Sequence, residues 1–321
     1  MFRNLPKALP AKQLLDQSIK KTKKVNIHDR DKRYEIKKIV IARTELFVEY
    51  LTAQLETYVK TFPSIDKLPL FYQELIDIKI HTDILKQSLG AIDWARKTTL
   101  MVYSTQRSSL SKTGNIDFLK QKQKEIYGRI SSIIKQIDQQ LLFVANAQQI
   151  LKTFPDLSDA PTAVIAGSPN VGKSSLIRKL SAAKPDVAQY PFTTKQIYVG
   201  HIEQTIRYQK KMYQIIDTPG LLDRPLKQRN KIERQAIAAL RHLADLIVFV
   251  CDPSETSGYP LEEQMKTLES IKKIFPDVPY IVVENKSDLK KTPSMNPKIS
   301  CVTGEGIEPL HQMIIFYLEK A

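Results

Sequence analysis

The stretch GSPNVGKS, residues 167–174, decides the fold of the second half of the chain. It fits the spacing GxxxxGK(S/T), it follows the apolar run TAVIA at residues 162–166, and it precedes a predicted helix at residues 175–182. A strand, this glycine-rich turn and a helix in that order form a P-loop, in which backbone N–H groups curl around phosphate oxygens. The sequence therefore predicts a phosphate-binding site at the end of a buried strand.

The residues of this loop have distinct predicted roles. We expect the Lys173 ammonium to contact the β- and γ-phosphates and to support catalysis, and we expect the Ser174 hydroxyl to bind magnesium. The start of the following helix adds its partial positive charge. The other residues of this stretch that we expect to contact the nucleotide are Ser168, Asn170, Val171, Gly172 and Ser175.

A second motif, DTPG at residues 217–220, directly follows the apolar run YQII. Asp217 stands at the end of a predicted strand, from which it can reach the magnesium ion through water. The Gly220 N–H can bind the γ-phosphate, so we count it as catalytic and expect this segment to respond to the presence of that phosphate. The motif is weak alone, but its place downstream of a P-loop makes it specific.

A third motif, NKSD at residues 285–288, indicates which base is bound. The Asp288 carboxylate can accept hydrogen bonds from the ring N–H and the exocyclic amine of guanine, a pair that adenine does not offer. Such a site rejects the wrong base because its polar groups would stay unpaired. The Lys286 stem can pack along the base, and Asn285 can brace the loop. A backbone N–H for the guanine carbonyl oxygen is expected from Ser300, Cys301 or Val302.

The rest of the second half alternates short apolar runs with helical segments. Runs of this kind are typical of buried strands in a mostly parallel sheet with crossover helices. We predict strands at residues 162–166, 196–202, 212–216, 246–251 and 280–283. A linker-like segment, FPDLSDAP, precedes them, so we predict a basic helical bundle domain at residues 1–157 and a GTPase domain at residues 158–321.

The first half reads as long helices. Apolar residues recur there at three- and four-residue steps, and glycine occurs only at positions 90, 114 and 128. Breaks are predicted at residues 61–64, 88–90 and 111–115, which leaves about four long helices preceded by a short basic one. Trp94 and the tyrosines fall on the helical stripes, so we expect them in the core. The predicted fold class is α + α/β: an amino-terminal long-helix bundle followed by a Ras-like P-loop GTPase domain with a mostly parallel, doubly wound sheet.

Composition bears on the cellular compartment of the protein and on the kind of partner that it binds. The two cysteines, Cys251 and Cys301, cannot build a disulfide framework, no apolar run approaches the roughly 18 residues of a membrane-spanning helix, and the start lacks a signal-peptide core. The net charge is +15, and residues 1–157 hold 27 Lys and Arg against 16 Asp and Glu. This surplus is compatible with a polyanionic partner, such as nucleic acid or a membrane surface, and equally with a solvated Lys-rich helical surface.

The three motifs, in this order, resemble those of the translation-factor-related class of small GTPases. YPFTT at residues 190–194 is similar to the switch I of Obg-related members, which implies that Thr194, or else the adjacent Thr193, completes the magnesium shell and supports catalysis. The helical first half together with DPSE at residues 252–255 and GYPLEEQ at residues 258–264 resembles the nucleolar GTP-binding protein (Nog) family over about residues 1–320. The chain looks like a short, archaeal-type member.

This resemblance implies a function. We expect GTP or GDP as ligand, magnesium as cofactor, and a role in assembly of the large ribosomal subunit through ribosomal RNA and ribosomal proteins. The expected location is the cytoplasm, or the nucleolus in a eukaryote, with no membrane partner and a monomer away from the ribosome. A signalling GTPase that docks only a protein partner is the alternative.

Leu221, Asn170 and the residues that follow DTPG bear on the mechanism of hydrolysis. Leu221 stands where Ras-like proteins carry the glutamine that orients the attacking water, which implies slow intrinsic hydrolysis. In related GTPases with a hydrophobic residue there, an asparagine at the position of Asn170 helps to bind potassium, so potassium is a further candidate cofactor. The segment after DTPG, which corresponds to switch II, is basic. It is either a solvated helix face or a surface that contacts RNA or protein under the control of the bound nucleotide. Its cations are Arg224, Lys227, Arg229, Lys231 and Arg234.

Overall fold

The computed structural model describes residues 2–181, 183, 185–189, 196–206, 209–217, 219–223, 234 and 237–320. The chain divides into two compact units. The first comprises Met1–Lys67 and Ile80–Lys152, and the second comprises Leu68–Lys79 and Thr153–Ala321. The boundary that we predicted after residue 157 stays a prediction. The structural division differs from it chiefly by placing Leu68–Lys79 with the second unit.

The first unit is helical, as predicted. In chain order the helices are α1 (Ala11–Thr22), α2 (Lys32–Lys60), α3 (Leu70–Ile80, which lies almost wholly in the second unit), α4 (Thr82–Lys112), α5 (Ile116–Gln136) and α6 (Asp138–Leu151). Side-chain caps explain two of the starts. Asp31 accepts a hydrogen bond from the Arg33 N–H before α2, and Asn115 accepts hydrogen bonds from two N–H groups before α5.

The core of the first unit follows the predicted apolar stripes. From α2, Phe47, Leu51 and Leu55 are fully buried, and α5 contributes further fully buried residues such as Ile126 and Ile130. Burial of one such side chain stabilises a fold by about 1.5–3 kcal/mol. The stripes alone therefore account for why these segments form packed helices.

Two details of the first half were predicted wrongly. The helix α4 runs without a break through Gly90, where a Cβ would meet no heavy atom within 4 Å. One glycine costs a helix interior only about 1 kcal/mol, which tertiary packing outweighs. The actual break lies at His81, whose φ of 64° ends α3 before α4 begins. Trp94 and Tyr34, both expected in the core, are 49% and 59% exposed.

The second unit is an α/β fold around one sheet. Its elements are β1 (Thr162–Ala166), α7 (Lys173–Leu180), β2 (Asp186–Gln189), β3 (Gln196–Ile206), β4 (Gln209–Asp217), a 3₁₀ turn (Leu240–His242), β5 (Leu246–Cys251), α8 (Leu261–Ile274), β6 (Tyr280–Glu284) and α9 (Ile307–Leu318). The six strands lie in the order β2-β3-β4-β1-β5-β6. Strand β1 pairs parallel with β4 and β5, and β5 pairs parallel with β6, whereas β3 pairs antiparallel with both β2 and β4. The short edge strand β2 was not predicted.

The parallel register brings the predicted motifs to one edge. Strand β1 pairs with β4 through Ile165 and Asp217 and with β5 through Ala166 and Phe249. Strand β5 pairs with β6 through Cys251 and Glu284. Because carboxyl ends of parallel strands meet at one edge of a sheet, the P-loop, DTPG and NKSD all emerge there. All residues of β1 and β5 are buried, which explains their unbroken apolar sequence.

Two bulk expectations can be compared with the described residues. Both cysteines are free thiols, and Cys251 is buried in β5. Among the described residues, no helix combines the length and the apolar character that crossing a bilayer requires.

Candidate functional site

The P-loop depends on two glycines that no other residue could replace without movement. Gly167 has a φ of 141°, and a Cβ on it would lie 2.2 Å from the Val250 carbonyl oxygen. Gly172 has a φ of 103°, and a Cβ there would lie 2.1 Å from Nδ2 of Asn285. The loop is therefore packed against the end of β5 and against the NKSD loop, and only glycine allows both approaches.

Lys173 lies inside this loop. Its Nζ donates hydrogen bonds to the carbonyl oxygens of Gly167 (2.8 Å) and Ser168 (2.7 Å), and the residue is only 7% exposed. Burial lowers the pKa of Lys173, and the nearby carboxylates of Asp217 and Asp223 act in the opposite direction. The ammonium thus stands at the centre of the loop, at a site built to compensate its charge.

A cleft of about 460 Å³ lies over the P-loop and the DTPG segment. Six predicted site residues line it, of which Lys173 and Gly220 are the predicted catalytic ones: Asn170, Gly172, Lys173, Ser174, Ser175 and Gly220. Ser168 and Val171 are buried and do not line it, although their carbonyl oxygens hold Lys173 and Asn285. Asp223, which the sequence analysis did not single out, also lines the cleft.

Two of the predicted magnesium ligands meet directly. The Ser174 hydroxyl donates a hydrogen bond of 2.6 Å to Oδ2 of Asp217, whose side chain is fully buried at the end of β4. A hydroxyl and a carboxylate oxygen are hard donors of the kind that magnesium prefers, so the pair fits this ion. The third predicted ligand, Thr194, lies outside the described residues, as do Thr193 and the rest of YPFTT.

Leu221, which we predicted to stand where Ras-like proteins carry the water-orienting glutamine, is directed into the core. It is 1% exposed and its neighbour Leu222 is 2% exposed. The Leu222 carbonyl oxygen accepts a hydrogen bond of 3.3 Å from the Gly167 N–H, which ties this turn to the start of the P-loop. Of the predicted basic residues that follow, Arg234 is exposed, and Arg224, Lys227, Arg229 and Lys231 lie outside the described residues.

Asn285 joins three loops. Its Nδ2 donates to the Val171 carbonyl oxygen (2.8 Å), and its Oδ1 accepts from the Cys301 N–H (3.2 Å). Its own backbone N–H donates to the Cys251 carbonyl oxygen (2.9 Å). The residue is 3% exposed, so these contacts are made inside the protein. The structure shows the bracing that we predicted, and it adds the P-loop to the set of braced segments.

The prediction that residues 300–302 supply a backbone N–H to guanine stays a prediction, and the structure shows how the three N–H groups differ. The Ser300 N–H donates to the Glu305 carbonyl oxygen (3.0 Å), and the Cys301 N–H donates to Asn285. Both donors are thus engaged within the protein. A tight turn follows them, in which the Gly304 N–H donates to the Ser300 carbonyl oxygen. Val302, which is 83% exposed, keeps the position from which a backbone N–H could meet a base.

The residues that we predicted to read the base differ in how they are held. Asp288 is exposed at the end of the motif, open to a ligand. Lys286 has a φ of 63°, and its Nζ donates to Oδ2 of Asp252 (2.6 Å) and to the Thr256 hydroxyl (2.8 Å). Burial raises the pKa of Asp252, but hydrogen bonds from Lys286, Ser254 and the Ser257 N–H outweigh it and leave the pKa lowered. Asp252 therefore stays ionised beside the lysine.

Sequence reasoning used Asp252 only as part of the DPSE segment and missed this contact. The signal was present, because Asp252 directly follows β5 and NKSD directly follows the neighbouring strand β6. Residues at the carboxyl ends of adjacent parallel strands lie side by side.

Comparisons with known proteins show which family the sequence resembles. The profile of the NOG1 N-terminal helical domain matches residues 2–158, and that of Nucleolar GTP-binding protein 1 (NOG1) matches residues 231–288. An uncharacterized protein of Methanocaldococcus jannaschii is 38% identical over 294 residues, which are 90% of this chain and 81% of that protein. The nucleolar GTP-binding protein 1 of Drosophila melanogaster is 34% identical over 292 residues, 90% of this chain and 44% of its own length.

A solved structure is also similar. A crystal structure from Plasmodium falciparum, described as a nucleolar GTP-binding protein 1, shares 33% sequence identity, covers 52% of this chain and 91% of its own, and has a TM-score of 0.45. The chain spans about half the length of the eukaryotic relatives that it matches.

Proposed function

Because the chain belongs to the nucleolar GTP-binding protein family, we propose that it binds and hydrolyses GTP while acting in assembly of the large ribosomal subunit. The observation that carries the nucleotide part is the Asn285 contact set, which ties the P-loop, the NKSD segment at residues 285–288 (the base loop) and the loop at residues 300–302 into one site. The family relationship and the charge of the first unit support the ribosomal part. A cytoplasmic location in an archaeon, a nucleolar one in a eukaryote, and a monomeric state away from the ribosome belong to the same proposal.

Guanine is the proposed base. The exposed Asp288 carboxylate would accept the ring N–H and the exocyclic amine, while the Lys286 stem lies along the base and the Val302 N–H meets the carbonyl oxygen. The phosphates would occupy the cleft that Gly172, Lys173 and Gly220 line. There the start of α7 and the buried ammonium offer positive charge to the phosphate oxygens.

Magnesium is the proposed cofactor. Ser174 and Asp217 would hold it, with Thr194 as the third protein ligand, and the ion would neutralise charge on the β- and γ-phosphates. Asn170, exposed at the cleft with a φ of 61°, is the candidate for a potassium ligand. Comparing hydrolysis in potassium and sodium chloride tests the second ion, and equal rates would remove it from the proposal.

Slow intrinsic hydrolysis is proposed from the position of Leu221. A buried leucine cannot hydrogen-bond a water molecule, so another group of this chain or of a partner would have to orient the attacking water. A ribosomal particle that supplies such a group would couple hydrolysis to a stage of assembly. The segments that carry Thr194 and Gly220 would respond to the γ-phosphate and transmit its presence to the partner.

The RNA-binding part of the proposal rests on residues 20–34, which we name the basic segment. All seven of its Lys and Arg residues are exposed, whereas its two carboxylates are engaged: Asp29 binds Lys38 at 2.6 Å, and Asp31 caps α2. Tyr34, 59% exposed, adds an aromatic ring that a base could stack on. A cationic surface with little internal compensation is suited to a phosphate backbone.

Co-sedimentation with purified large ribosomal subunits tests the proposal. Binding would be measured with GDP and with a non-hydrolysable GTP analogue over a series of salt concentrations. We expect tighter binding with the analogue and a steep loss of binding with salt. Equal binding in both states would leave a docking protein without a switch. No binding in either state would favour the alternative of a signalling GTPase that docks a protein.

A further inference from the structure

The loop after β5 lies beside the base loop for a simple geometric reason. Strands β5 and β6 are parallel neighbours, and Cys251 pairs with Glu284 at their carboxyl ends. The next residues, Asp252 and Asn285, therefore leave the sheet at the same edge, and the Asn285 N–H donates to the Cys251 carbonyl oxygen (2.9 Å). Whatever fixes the loop after β5 can thus act on the residues that would read the base.

Asp252 is the centre of a dense hydrogen-bond network in this loop. Its side chain is fully buried. The carboxylate accepts from the backbone N–H groups of Ser254 (3.0 Å) and Ser257 (2.8 Å) and from the hydroxyls of Ser254 and Thr256. Its remaining partner is the Lys286 ammonium at 2.6 Å. Charge-assisted contacts of this kind are the strongest hydrogen bonds in proteins.

The backbone of Asp252 is fixed as well. Gln264, fully buried on α8, accepts from the Asp252 N–H (2.8 Å) through Oε1 and donates to the Asp252 carbonyl oxygen (3.0 Å) through Nε2. The same Nε2 donates to the Tyr259 carbonyl oxygen (2.8 Å), which closes the loop. The segment DPSETSGYPLEEQ is thus closed by hydrogen bonds of its own, and it holds the Asp252 carboxylate against the side chain of Lys286.

Lys286 is the group that most needs such an anchor. A lysine side chain loses much rotamer freedom when it is ordered, and a φ of 63° is uncommon for a residue other than glycine. With its ammonium bound by Asp252 and Thr256, the stem is already ordered before a ligand arrives, and its side chain stays 21% exposed. Preorganisation of this kind increases affinity without adding a contact to the ligand.

We infer that Asp252, held by Gln264 and assisted by Thr256, is a positioning residue that orders the Lys286 stem for guanine binding. This inference rests on the proposed function, since Lys286 matters only if guanine is bound there. It assigns a role to the DPSE…LEEQ segment, which the nucleotide motifs do not cover. Asp252 would act on affinity through Lys286 and would touch no part of the nucleotide.

The test is a double-mutant cycle on the full chain, with the dissociation constant of a fluorescent GDP as the readout. Asp252→Asn keeps the shape of the side chain and removes its charge, and we expect it to weaken GDP binding by about tenfold. Lys286→Met keeps much of the stem and removes the ammonium. In the Lys286→Met background, Asp252→Asn should cost almost nothing more, because its effect passes through the missing ammonium.

Asp245→Asn is the matched control. Its carboxylate also accepts a backbone hydrogen bond in the second unit, from the Thr162 N–H at 2.7 Å, but it does not take part in the Lys286 network. Its GDP affinity should equal that of the wild type, and thermal unfolding of each variant without nucleotide checks that it is folded. If Asp252→Asn does not fold, Thr256→Ala, at an exposed position, takes its place with a smaller expected loss.

The possible results distinguish a failure of this inference from a failure of the proposed function. The inference is supported if the wild type binds GDP, Asp252→Asn weakens this binding, and the same substitution has no effect in the Lys286→Met background. No penalty, or the same penalty in both backgrounds, overturns it and leaves the guanine site intact; for Thr256→Ala, unchanged affinity overturns it in the same way. A wild-type chain that shows no affinity for GDP would instead refute the proposed function itself.

Discussion

The base loop of the second unit and the basic segment of the first are specified by the sequence in different ways. In the base loop two residues have partners of their own: Asn285 contacts Val171 and Cys301, and Lys286 contacts Asp252. In the basic segment the cations are exposed and share only their charge. A motif with fixed spacing therefore predicts individual contacts, whereas a charge surplus predicts only a surface and the sign of its partner.

The difference also concerns what a substitution can do. Loss of one partner in the base loop leaves a buried polar group without a hydrogen bond, and such a group costs about 1–3 kcal/mol. Loss of one cation from an exposed surface changes the folding free energy little and acts on binding in proportion to the number of cations removed. Substitutions in the two regions should therefore differ both in the size of their effect and in the property that they change.

The largest effect is expected for Asp288→Asn. Each hydrogen bond to a charged group contributes about 1.5–3 kcal/mol, so loss of the two proposed bonds to guanine should raise the GDP dissociation constant about 100- to 10,000-fold. Affinity for xanthosine diphosphate should rise, because its ring offers an acceptor where guanine offers the exocyclic amine. Titration calorimetry with both nucleotides measures the change.

A matched control for this substitution is Asp277→Asn, at an exposed carboxylate of the same unit, which should leave GDP affinity unchanged. An Asp288→Asn variant that keeps wild-type affinity for GDP would show that the exposed carboxylate does not read the base. In that case the assignment of guanine to this site would have to be abandoned.

The second effect is expected on stability as well as on binding. Asn285→Ala removes the hydrogen bonds to Val171 and Cys301 and leaves a buried carbonyl and a half-buried N–H without these partners. We expect the free energy of unfolding without nucleotide to fall by about 2 kcal/mol or more, as measured by urea denaturation. Asn26→Ala, at an exposed position, is the control. A loss of GDP binding at unchanged stability would mean that Asn285 contacts the ligand instead of bracing the loops.

How far the sequence could predict the site depends on whether a residue acts alone or through the sheet register. The P-loop and its strand were located correctly, because the spacing of Gly167, Gly172 and Lys173 has few other uses. The contact between Asp252 and Lys286 was missed, because it joins two segments more than thirty residues apart that only the pairing of β5 with β6 brings together. The same limit applies to the Cys301 N–H, which Asn285 engages.

The fold shows a similar division. Strands that are buried on both faces, such as β1 and β5, were placed from their apolar sequence, whereas the four-residue edge strand β2 was not recognised. A short edge strand has one partner strand, and its sequence carries little pattern. The break at His81 was missed because no glycine or proline marks it, and the exposed Trp94 shows that helical spacing alone does not fix which face is buried.

The third effect concerns the basic segment. Removal of Lys20, Lys23 and Lys24 together by substitution with alanine should weaken binding to ribosomal RNA about tenfold or more near physiological salt, with unchanged GDP affinity and unchanged stability. The slope of log affinity against log salt should fall by about 0.7–0.9 for each phosphate that the variant no longer neutralises. A filter-binding titration over a series of salt concentrations measures both.

The control here removes an equal charge elsewhere in the first unit, by alanine at the exposed residues Lys67, Lys112 and Lys120. If both triple variants weaken RNA binding equally, the first unit attracts RNA only through its total charge, and the basic segment has no special place in it. A loss of RNA binding in the variant of Lys20, Lys23 and Lys24 alone would show that the basic segment itself contacts the RNA.

The smallest effect on activity is expected for Leu221→Gln, although the glutamine would restore the residue that Ras-like proteins carry there. The side chain at this position is 1% exposed and packs into the core beside Leu222, so a glutamine in its place would not reach a water molecule at the γ-phosphate. We expect no gain in single-turnover GTP hydrolysis, and a loss of about 1–3 kcal/mol in the free energy of unfolding from the buried amide. Leu222→Gln should behave in the same way. Faster hydrolysis in Leu221→Gln alone would show that this turn rearranges when GTP binds. A side chain at residue 221 could then orient the attacking water without a partner.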